Sequence, residues 1–197
     1  MQQDRTKNSE LPNRQKFFVL LIILLVTVIS FWSSLKNNFT NWDDDFHITQ
    51  NASVQMPTLT ALKPILTTTV NHTYIPLTEI SFNIEYQFFK FNPKICHTIN
   101  LILHLAVVGI IFYFGLEIGL PLVAAAIGTL IFAIHPMHVE SVAWLTQRKD
   151  LLYSLFYMLS LYFYWHYCCF RLIQRLSYRG QPRQIFHACL KKASLLH

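Results

Sequence analysis

Three consecutive carboxylates, Asp43, Asp44 and Asp45, follow the first long apolar run of the sequence. Carboxylates this close repel one another, so a cation, a hydrogen-bond network or a substrate is needed to stabilise the negative charge of such a loop. Strongly interacting ionisable groups are frequent at functional sites, which makes the triplet a candidate catalytic element. The alternative is a solvated acidic turn that only ends a helix, and the triplet alone does not separate the two.

A second set of polar residues, His97, Asn100 and His104, lies within a later apolar run. Their spacing of three and four residues puts them on one stripe of a helix, with His104 roughly 10 Å along the axis from His97. Polar groups at that depth usually face a cavity or a partner, so we predict that the stripe lines a cavity. Two alternatives remain: hydrogen bonding that only holds helices together, and an ion or proton pathway through the two histidines.

A third set of candidates is concentrated in one short segment and comprises His135, His138, Glu140, Arg148 and Lys149. The spacing matches no zinc-binding helix motif, so no metal site is predicted. Two adjacent cations suit an anionic headgroup or a diphosphate, with Arg148 as a planar fork and Lys149 as a point charge. The alternative is a salt bridge to a neighbouring aspartate, or contact of the long side chains with ordinary lipid headgroups.

The composition is that of a membrane protein. The chain has 197 residues, of which 53% are hydrophobic and 13% charged, whereas a soluble domain carries about 25% charged residues. The net charge of +6 does not indicate nucleic-acid binding, because the basic residues flank the apolar blocks instead of mixing with aromatic residues. No nucleic-acid partner is therefore expected, and a lipid membrane is.

We predict an all-α, polytopic fold with about four membrane helices, over residues 17–31 (extendable to 35), 96–116, 121–134 and 150–170. The third run spans only about 20 Å, so it must end in a cavity or continue with a kink. A cleaved signal peptide is the alternative for the first run. It is disfavoured because Phe31 and Trp32 occupy the place of the small residues that a cleavage site requires.

The basic flanks predict the topology, since cytoplasmic flanks of membrane helices are rich in Lys and Arg. Residues 1–16 form a polar cytoplasmic N-terminus, 17–170 the membrane domain, and 171–197 a basic cytoplasmic tail. Residues 36–94 form a long outer loop with amphipathic helices at 57–66 and 76–89, each beginning with a proline. The second helix either lies on the membrane or packs on the bundle. All the candidate residues then fall on the outer face.

These residues belong to segments that resemble a known family. In order, they are Asn41-Trp42-Asp43-Asp44-Asp45, Tyr74-Ile75-Pro76-Leu77-Thr78, His97-Thr98-Ile99-Asn100-Leu101-Ile102-Leu103-His104, and His135-Pro136-Met137-His138-Val139-Glu140-Ser141-Val142-Ala143-Trp144 with Arg148-Lys149-Asp150. Over residues 35–164 the chain resembles the N-terminal part of bacterial membrane proteins related to the transmembrane-and-tetratricopeptide-repeat O-mannosyltransferases. Those proteins belong to the GT-C glycosyltransferase superfamily.

The resemblance implies an enzyme of the bacterial inner membrane that moves a sugar from a polyprenyl-phosphate carrier to a protein or glycan acceptor on the outer face. The acidic pair of the family maps onto Asp43 and Asp44, with Asp45 adjacent, and such a carboxylate can take the proton of the acceptor hydroxyl. Arg148 and Lys149 would steady the departing phosphate. The residues His135, His138 and Glu140 would shape the donor pocket. No cofactor is implied with certainty, and a divalent cation remains open.

The chain departs from the family in length. Family members have many more membrane helices and usually a tetratricopeptide-repeat region, and no repeat of about 34 residues is visible here. A truncated copy is therefore expected, or a fragment that assembles with a second half or partner subunit. The alternative function is a non-catalytic membrane fragment or a subunit of a larger assembly.

Overall fold

The computed structural model describes residues 12–178, and this part of the chain is helical. Its α-helices are α1 (Asn13–Phe31), α2 (Ala52–Gln55), α3 (Thr58–Thr67), α4 (Pro76–Phe89), α5 (Pro93–Glu117), α6 (Leu122–Ile134), α7 (His138–Ala143) and α8 (Arg148–Tyr178). Short 3-10 helices lie at Trp32–Lys36 and Leu145–Gln147, and a π-helical turn lies at Asp45–Thr49. The all-α prediction is confirmed for the described residues. Residues 1–11 and 179–197, which include much of the predicted N-terminus and basic tail, lie outside them.

Two helices of the described part are long and apolar enough to cross a membrane. They are Asn13–Lys36, which joins α1 to the following 3-10 helix, and Pro93–Glu117, which is α5. Helix α6 has 13 residues, about 20 Å. Helix α8 has 31 residues, but its many tyrosines and its serines lower its hydropathy. Two of the four predicted spans thus pass this test, and the other two are not confirmed.

The described residues fall into two compact units. One unit consists of Val108–Phe132 with the described parts of Met1–Leu25 and Phe156–His197. In it the chain turns tightly after α5, and a side chain at Gly115 would stand 3.6 Å from the Cβ of Ala125. The carboxylate of Glu117 accepts a hydrogen bond from the Tyr162 hydroxyl at 3.0 Å and lies 2.9 Å from Nε2 of His166.

The second unit, Val26–Val107 with Ala133–Leu155, holds all three sets of candidate residues. One of its apolar clusters consists of Ile48, Val54, Phe82, Cys96 and Leu145. The other consists of Phe31, Leu101, Val142 and Leu151. Because each cluster joins residues distant in sequence, the loop segments before and after α5 are held against that helix.

Helix α4 carries its polar residues on the buried side. Its buried residues include Glu79, Asn83 and Glu85, whereas Ile84 and Phe88 on the opposite side are exposed. The amide of Asn83 donates to the carbonyl oxygens of Val54 and Met56 at 2.9 and 2.8 Å, which ties α4 to the segment around α2. This reverses the usual distribution for a surface helix in water, and it is the distribution expected of a helix whose outer face contacts lipid.

Candidate active site

The acidic triplet begins a helical turn that widens into the π-helical turn at Asp45–Thr49. Asp44 is only 1% exposed. Its Oδ2 accepts hydrogen bonds from the backbone N–H and the hydroxyl of Thr40, both at 3.0 Å. Its Oδ1 accepts from the backbone N–H of Thr146 at 3.2 Å and from the Thr146 hydroxyl at 2.7 Å. Asp44 is thus a fixed carboxylate that joins the acidic turn to the segment before α8.

The flanking carboxylates are less engaged. Asp45 is half-buried, and its Oδ1 accepts a hydrogen bond from the Thr49 hydroxyl at 3.1 Å. Asp43 is also half-buried, and its side chain makes no hydrogen bond or ion pair with the described residues. Among the described residues, Asp43 is therefore the carboxylate of the triplet whose side chain keeps its hydrogen-bonding capacity unused.

Arg148 forms the centre of a buried polar cluster, and its side chain is 0% exposed. A guanidinium has five N–H donors, and here five hydrogen bonds are made. The partners of this Arg148 cluster are Oδ1 of Asn100 at 2.7 Å, the Ser81 hydroxyl at 3.1 Å, the Cys96 carbonyl oxygen at 3.1 Å and both carboxylate oxygens of Glu85. The guanidinium carbon also lies 4.1 Å from the ring centre of Phe82.

This geometry bears on the prediction that Arg148 and Lys149 hold a phosphate. Arg148 has no free donor left and no exposed surface, so in this conformation it positions other residues instead of contacting a ligand. Glu85 occupies the guanidinium, because its two carboxylate oxygens accept the pair of Arg148 hydrogen bonds that a bound phosphate would otherwise accept. Lys149 is half-buried, and it forms no ion pair with Asp150 in the described part of the chain. Lys149 therefore remains the candidate cation for an anionic ligand.

The predicted stripe of α5 is buried as a whole. Asn100 belongs to the Arg148 cluster, and Nε2 of His104 lies 2.9 Å from the carbonyl oxygen of Ala133. His97 is 1% exposed, and neither of its ring nitrogens has a hydrogen-bond partner in good geometry. It lies close enough to Asp44 and Arg148 to interact with both charges. The stripe thus contacts protein groups, and for His97 these include the backbone of Asn38, although neither contact of its ring with the described residues has good hydrogen-bond geometry.

The segment around α7 brings its histidines together. The ring centres of His135 and His138 are 6.1 Å apart, and that of His104 is 5.6 Å from His138. Burial lowers the pKa of His138, and the neighbouring His135 lowers it further. The exposed Glu140 accepts a hydrogen bond from the Gln147 amide at 3.1 Å. Among the described residues, no three His, Cys, Asp or Glu side chains are grouped so that they could hold a metal ion.

Sequence reasoning missed several members of this arrangement, namely Glu85, Ser81, Thr146 and the buried pair formed by Nδ1 of His47 and Oε1 of Glu79 at 3.4 Å. A signal for two of them was present in α4. Glu79, Phe82 and Glu85 recur at intervals of three, so two carboxylates follow the face of a buried aromatic residue. Carboxylates are rarely buried unless they are paired, so this pattern indicates that cationic partners exist elsewhere in the chain.

Comparison with known proteins gives the family context. The chain is 31% identical to protein O-mannosyl-transferase TMTC3 of Homo sapiens over 148 residues, which are 71% of this chain and 16% of that protein. It is 31% identical to TMTC4 of Mus musculus over 166 residues, 73% of this chain and 22% of that protein. It is 35% identical to TMTC2 of Mus musculus over 108 residues. No protein-family model and no solved structure matches.

The homologues of this chain are protein O-mannosyl-transferases. The O-mannosyltransferase-like relationship predicted from the motifs is therefore confirmed. The chain spans about a sixth to a fifth of the length of the first two of these relatives. All three relatives are mammalian proteins, so the bacterial type stays a prediction.

Proposed function

We propose that this chain is a membrane glycosyltransferase of the GT-C type, which transfers mannose or a similar sugar from a polyprenyl-phosphate carrier to a protein or glycan acceptor. The observation that carries the proposal is the difference in hydrogen bonding between the two neighbouring carboxylates Asp43 and Asp44. Asp44 is fixed by four hydrogen bonds, while the side chain of the adjacent Asp43 has no partner among residues 12–178. A rigid support beside a carboxylate with unused hydrogen-bonding capacity is compatible with proton abstraction from an acceptor hydroxyl.

In this reaction the acceptor oxygen forms a bond to the anomeric carbon as the bond from that carbon to the carrier phosphate breaks. Asp43 takes the proton of the acceptor hydroxyl, and the electron pair of the broken bond stays on the phosphate. Lys149 is the cation that stabilises the charge developing there. Asp44, Thr146 and Arg148 position these groups. His135 and Glu140 are exposed and half-buried His138 adjoins them, so the three remain candidates for shaping the donor pocket.

The reaction is placed on the outer face of the membrane, with both termini cytoplasmic. The basic residues at the two ends of the chain support this orientation, since such residues are retained on the cytoplasmic side. The host membrane in this proposal is a bacterial plasma membrane. A divalent cation is an open requirement that transfer with and without a chelator would decide.

The test is sugar transfer from polyprenyl-phosphate mannose in membranes that contain this chain alone. We expect Asp43→Asn to lower transfer by roughly 10²–10⁴-fold, the range of a lost general base. Asp45→Asn is the matched control, because it removes the same charge two residues away and should cost only a few-fold. If Asp43→Asn were inserted normally and transferred sugar at the wild-type rate, the assignment would be wrong.

The second candidate is a non-catalytic membrane fragment or a subunit of a larger assembly. The complete bonding of Asp44 and Arg148 favours it, because a purely structural network has the same appearance. This candidate predicts no transfer by the chain alone, tolerance of Asp43→Asn, and co-purification with a second membrane subunit. Carboxylate-dependent transfer by the isolated chain would exclude it.

A further inference from the structure

An exposed tryptophan directly precedes the acidic triplet. Trp42 is 72% exposed, and its ring stacks on that of Trp144, with centroids 6.0 Å apart and planes 24° from parallel. At that centroid separation the two rings are offset, so Trp144 covers only part of the Trp42 indole and much of the Trp42 ring stays exposed. An exposed aromatic ring that packs in part against Trp144 therefore directly precedes Asp43, whose side chain has no hydrogen-bond partner in the described part of the chain.

The segment that supports this surface has unused hydrogen-bonding capacity. Nε1 of Trp144 and Oε1 of Gln147 are both buried and without a partner. Buried polar atoms in folded proteins are nearly always paired, so two unpaired atoms in one short segment call for an explanation. One is a donor and the other an acceptor, and both are buried, so a ligand hydroxyl or a water reaches them only when the surrounding side chains shift.

We propose that the stacked pair Trp42 and Trp144 is a saccharide platform that takes one pyranose ring on the exposed face of Trp42. The C–H groups on one side of a pyranose carry partial positive charge and pack against the negative face of an indole. The ring hydroxyls require acceptors, and the carboxylate of Asp43 is one residue away. The proposal deepens the function proposed above and rests on it for the source of the sugar, which is either the lipid-linked donor or a glycan acceptor.

The test uses the 197-residue chain in lipid nanodiscs, with calorimetry to measure affinity in every variant and tryptophan fluorescence in the chains that keep Trp42. Two probes are titrated, methyl α-mannopyranoside and a short-chain prenyl phosphomannose. We expect saturable quenching in the wild type, and an affinity measured by calorimetry that is weakened by roughly tenfold or more in Trp42→Ala. Trp42→Phe keeps a flat ring and should retain most of the affinity. Trp32→Phe is the matched control, since Trp32 is also exposed but does not belong to the stack.

Each outcome has a definite meaning. Quenching by the prenyl-linked probe alone assigns the platform to the donor, and equal quenching by both probes assigns it to the sugar ring of either source. Equal binding by wild type and Trp42→Ala overturns the platform, and so does quenching of Trp42 by brominated acyl chains with no response to either sugar. The latter result identifies a membrane-interface anchor instead.

Transfer assays separate this proposal from the proposed function. If the chain binds saccharide in a Trp42-dependent way but transfers no sugar, the saccharide-platform proposal is supported and the glycosyltransferase proposal is wrong. If Trp42→Ala transfers sugar normally with an unchanged KM, the glycosyltransferase proposal is supported and the saccharide-platform proposal is wrong.

Discussion

Two charged regions of the same unit differ in how completely their charged groups are hydrogen-bonded. In the Arg148 cluster a fully buried cation has a partner for each of its five donors. At the acidic triplet, Asp43 is half-buried, its side chain has no partner within the described residues, and it follows a tryptophan that is largely exposed. A buried charge is tolerated only when its hydrogen bonds are complete, whereas a group that reacts must keep some capacity unused. Residues such as Arg148, whose hydrogen bonds are complete, therefore stabilise the site, whereas residues such as Asp43 keep the capacity to contact a ligand.

The largest effect is expected from Arg148→Met, which leaves the Glu85 carboxylate buried without its partner. Breaking one half of such a pair costs about 3–5 kcal/mol of the free energy of unfolding, so we expect a large loss of thermal stability in detergent. Lys149→Met is the control and should change stability by no more than about 0.5 kcal/mol. Arg148→Met combined with Glu85→Leu should recover part of the loss. Wild-type melting of Arg148→Met would mean that the cluster contributes little.

The two neighbouring carboxylates provide the sharpest test of the contrast. Asp44→Asn places an amide group against donors of Thr40 or Thr146 and removes a charge from four hydrogen bonds, so it should cost about 2–3 kcal/mol. Asp43→Asn should change stability by less than about 0.5 kcal/mol, because no described residue forms a hydrogen bond with the Asp43 side chain. Chemical denaturation of both variants measures the difference. Equal destabilisation would show that Asp43 is also a structural residue and would contradict the comparison.

A smaller effect is expected from Thr146→Val, which keeps the shape of the side chain and removes its 2.7 Å hydrogen bond to Asp44. The backbone N–H of residue 146 still reaches the same oxygen, so the expected loss is about 1–1.5 kcal/mol. Thr69→Val is the control, since Thr69 is exposed and its hydroxyl makes no hydrogen bond to the described residues. If both substitutions had the same effect, the bond to Asp44 would add nothing to stability.

The smallest effect concerns pH. Burial, and then His135, hold the pKa of His138 below its ordinary value of 6.5. The unfolded chain therefore binds a proton at this position more readily than the folded one. The contribution of His138 to stability is present above pH 6.5 and is lost as the pH falls from there through the folded pKa. We expect His138→Gln to lose less thermal stability than the wild type between pH 7.5 and 5.5. Parallel pH profiles would exclude this contribution.

Local structure was largely predictable from the sequence. A helix was predicted over residues 76–89 and is present as Pro76–Phe89. Another was predicted over 57–66 and is present as Thr58–Thr67, with Pro57 immediately before it. Proline at or just before the first turn and apolar residues at helical spacing are local signals, so they can be read without knowledge of the fold. The bounds of α5 and α6 followed from apolar runs for the same reason.

The partners of the charged residues were not predictable in the same way. Arg148 was expected to contact an anionic ligand together with Lys149, since two adjacent cations suit a headgroup or a diphosphate, and a salt bridge to a neighbouring aspartate was the alternative. Its actual partner, Glu85, lies 63 residues earlier, on a helix whose outer face is apolar. Pairing over such a distance leaves no periodic trace in one sequence. The acidic triplet was found from its composition, but only the fold distinguishes fixed Asp44 from available Asp43.

The hydrogen bonds between Asp44 and Thr146 form late during synthesis, because they join residues 102 positions apart in the chain. A chain is synthesised from its N-terminus at about 5–20 residues per second. The acidic turn therefore leaves the ribosome roughly 5–20 s before the segment that fastens it. During that interval Asp44 must remain hydrated or be shielded by another factor. Completion of the site is thus a late event of synthesis, and a nascent chain arrested before residue 146 holds Asp44 by its two hydrogen bonds from Thr40 alone.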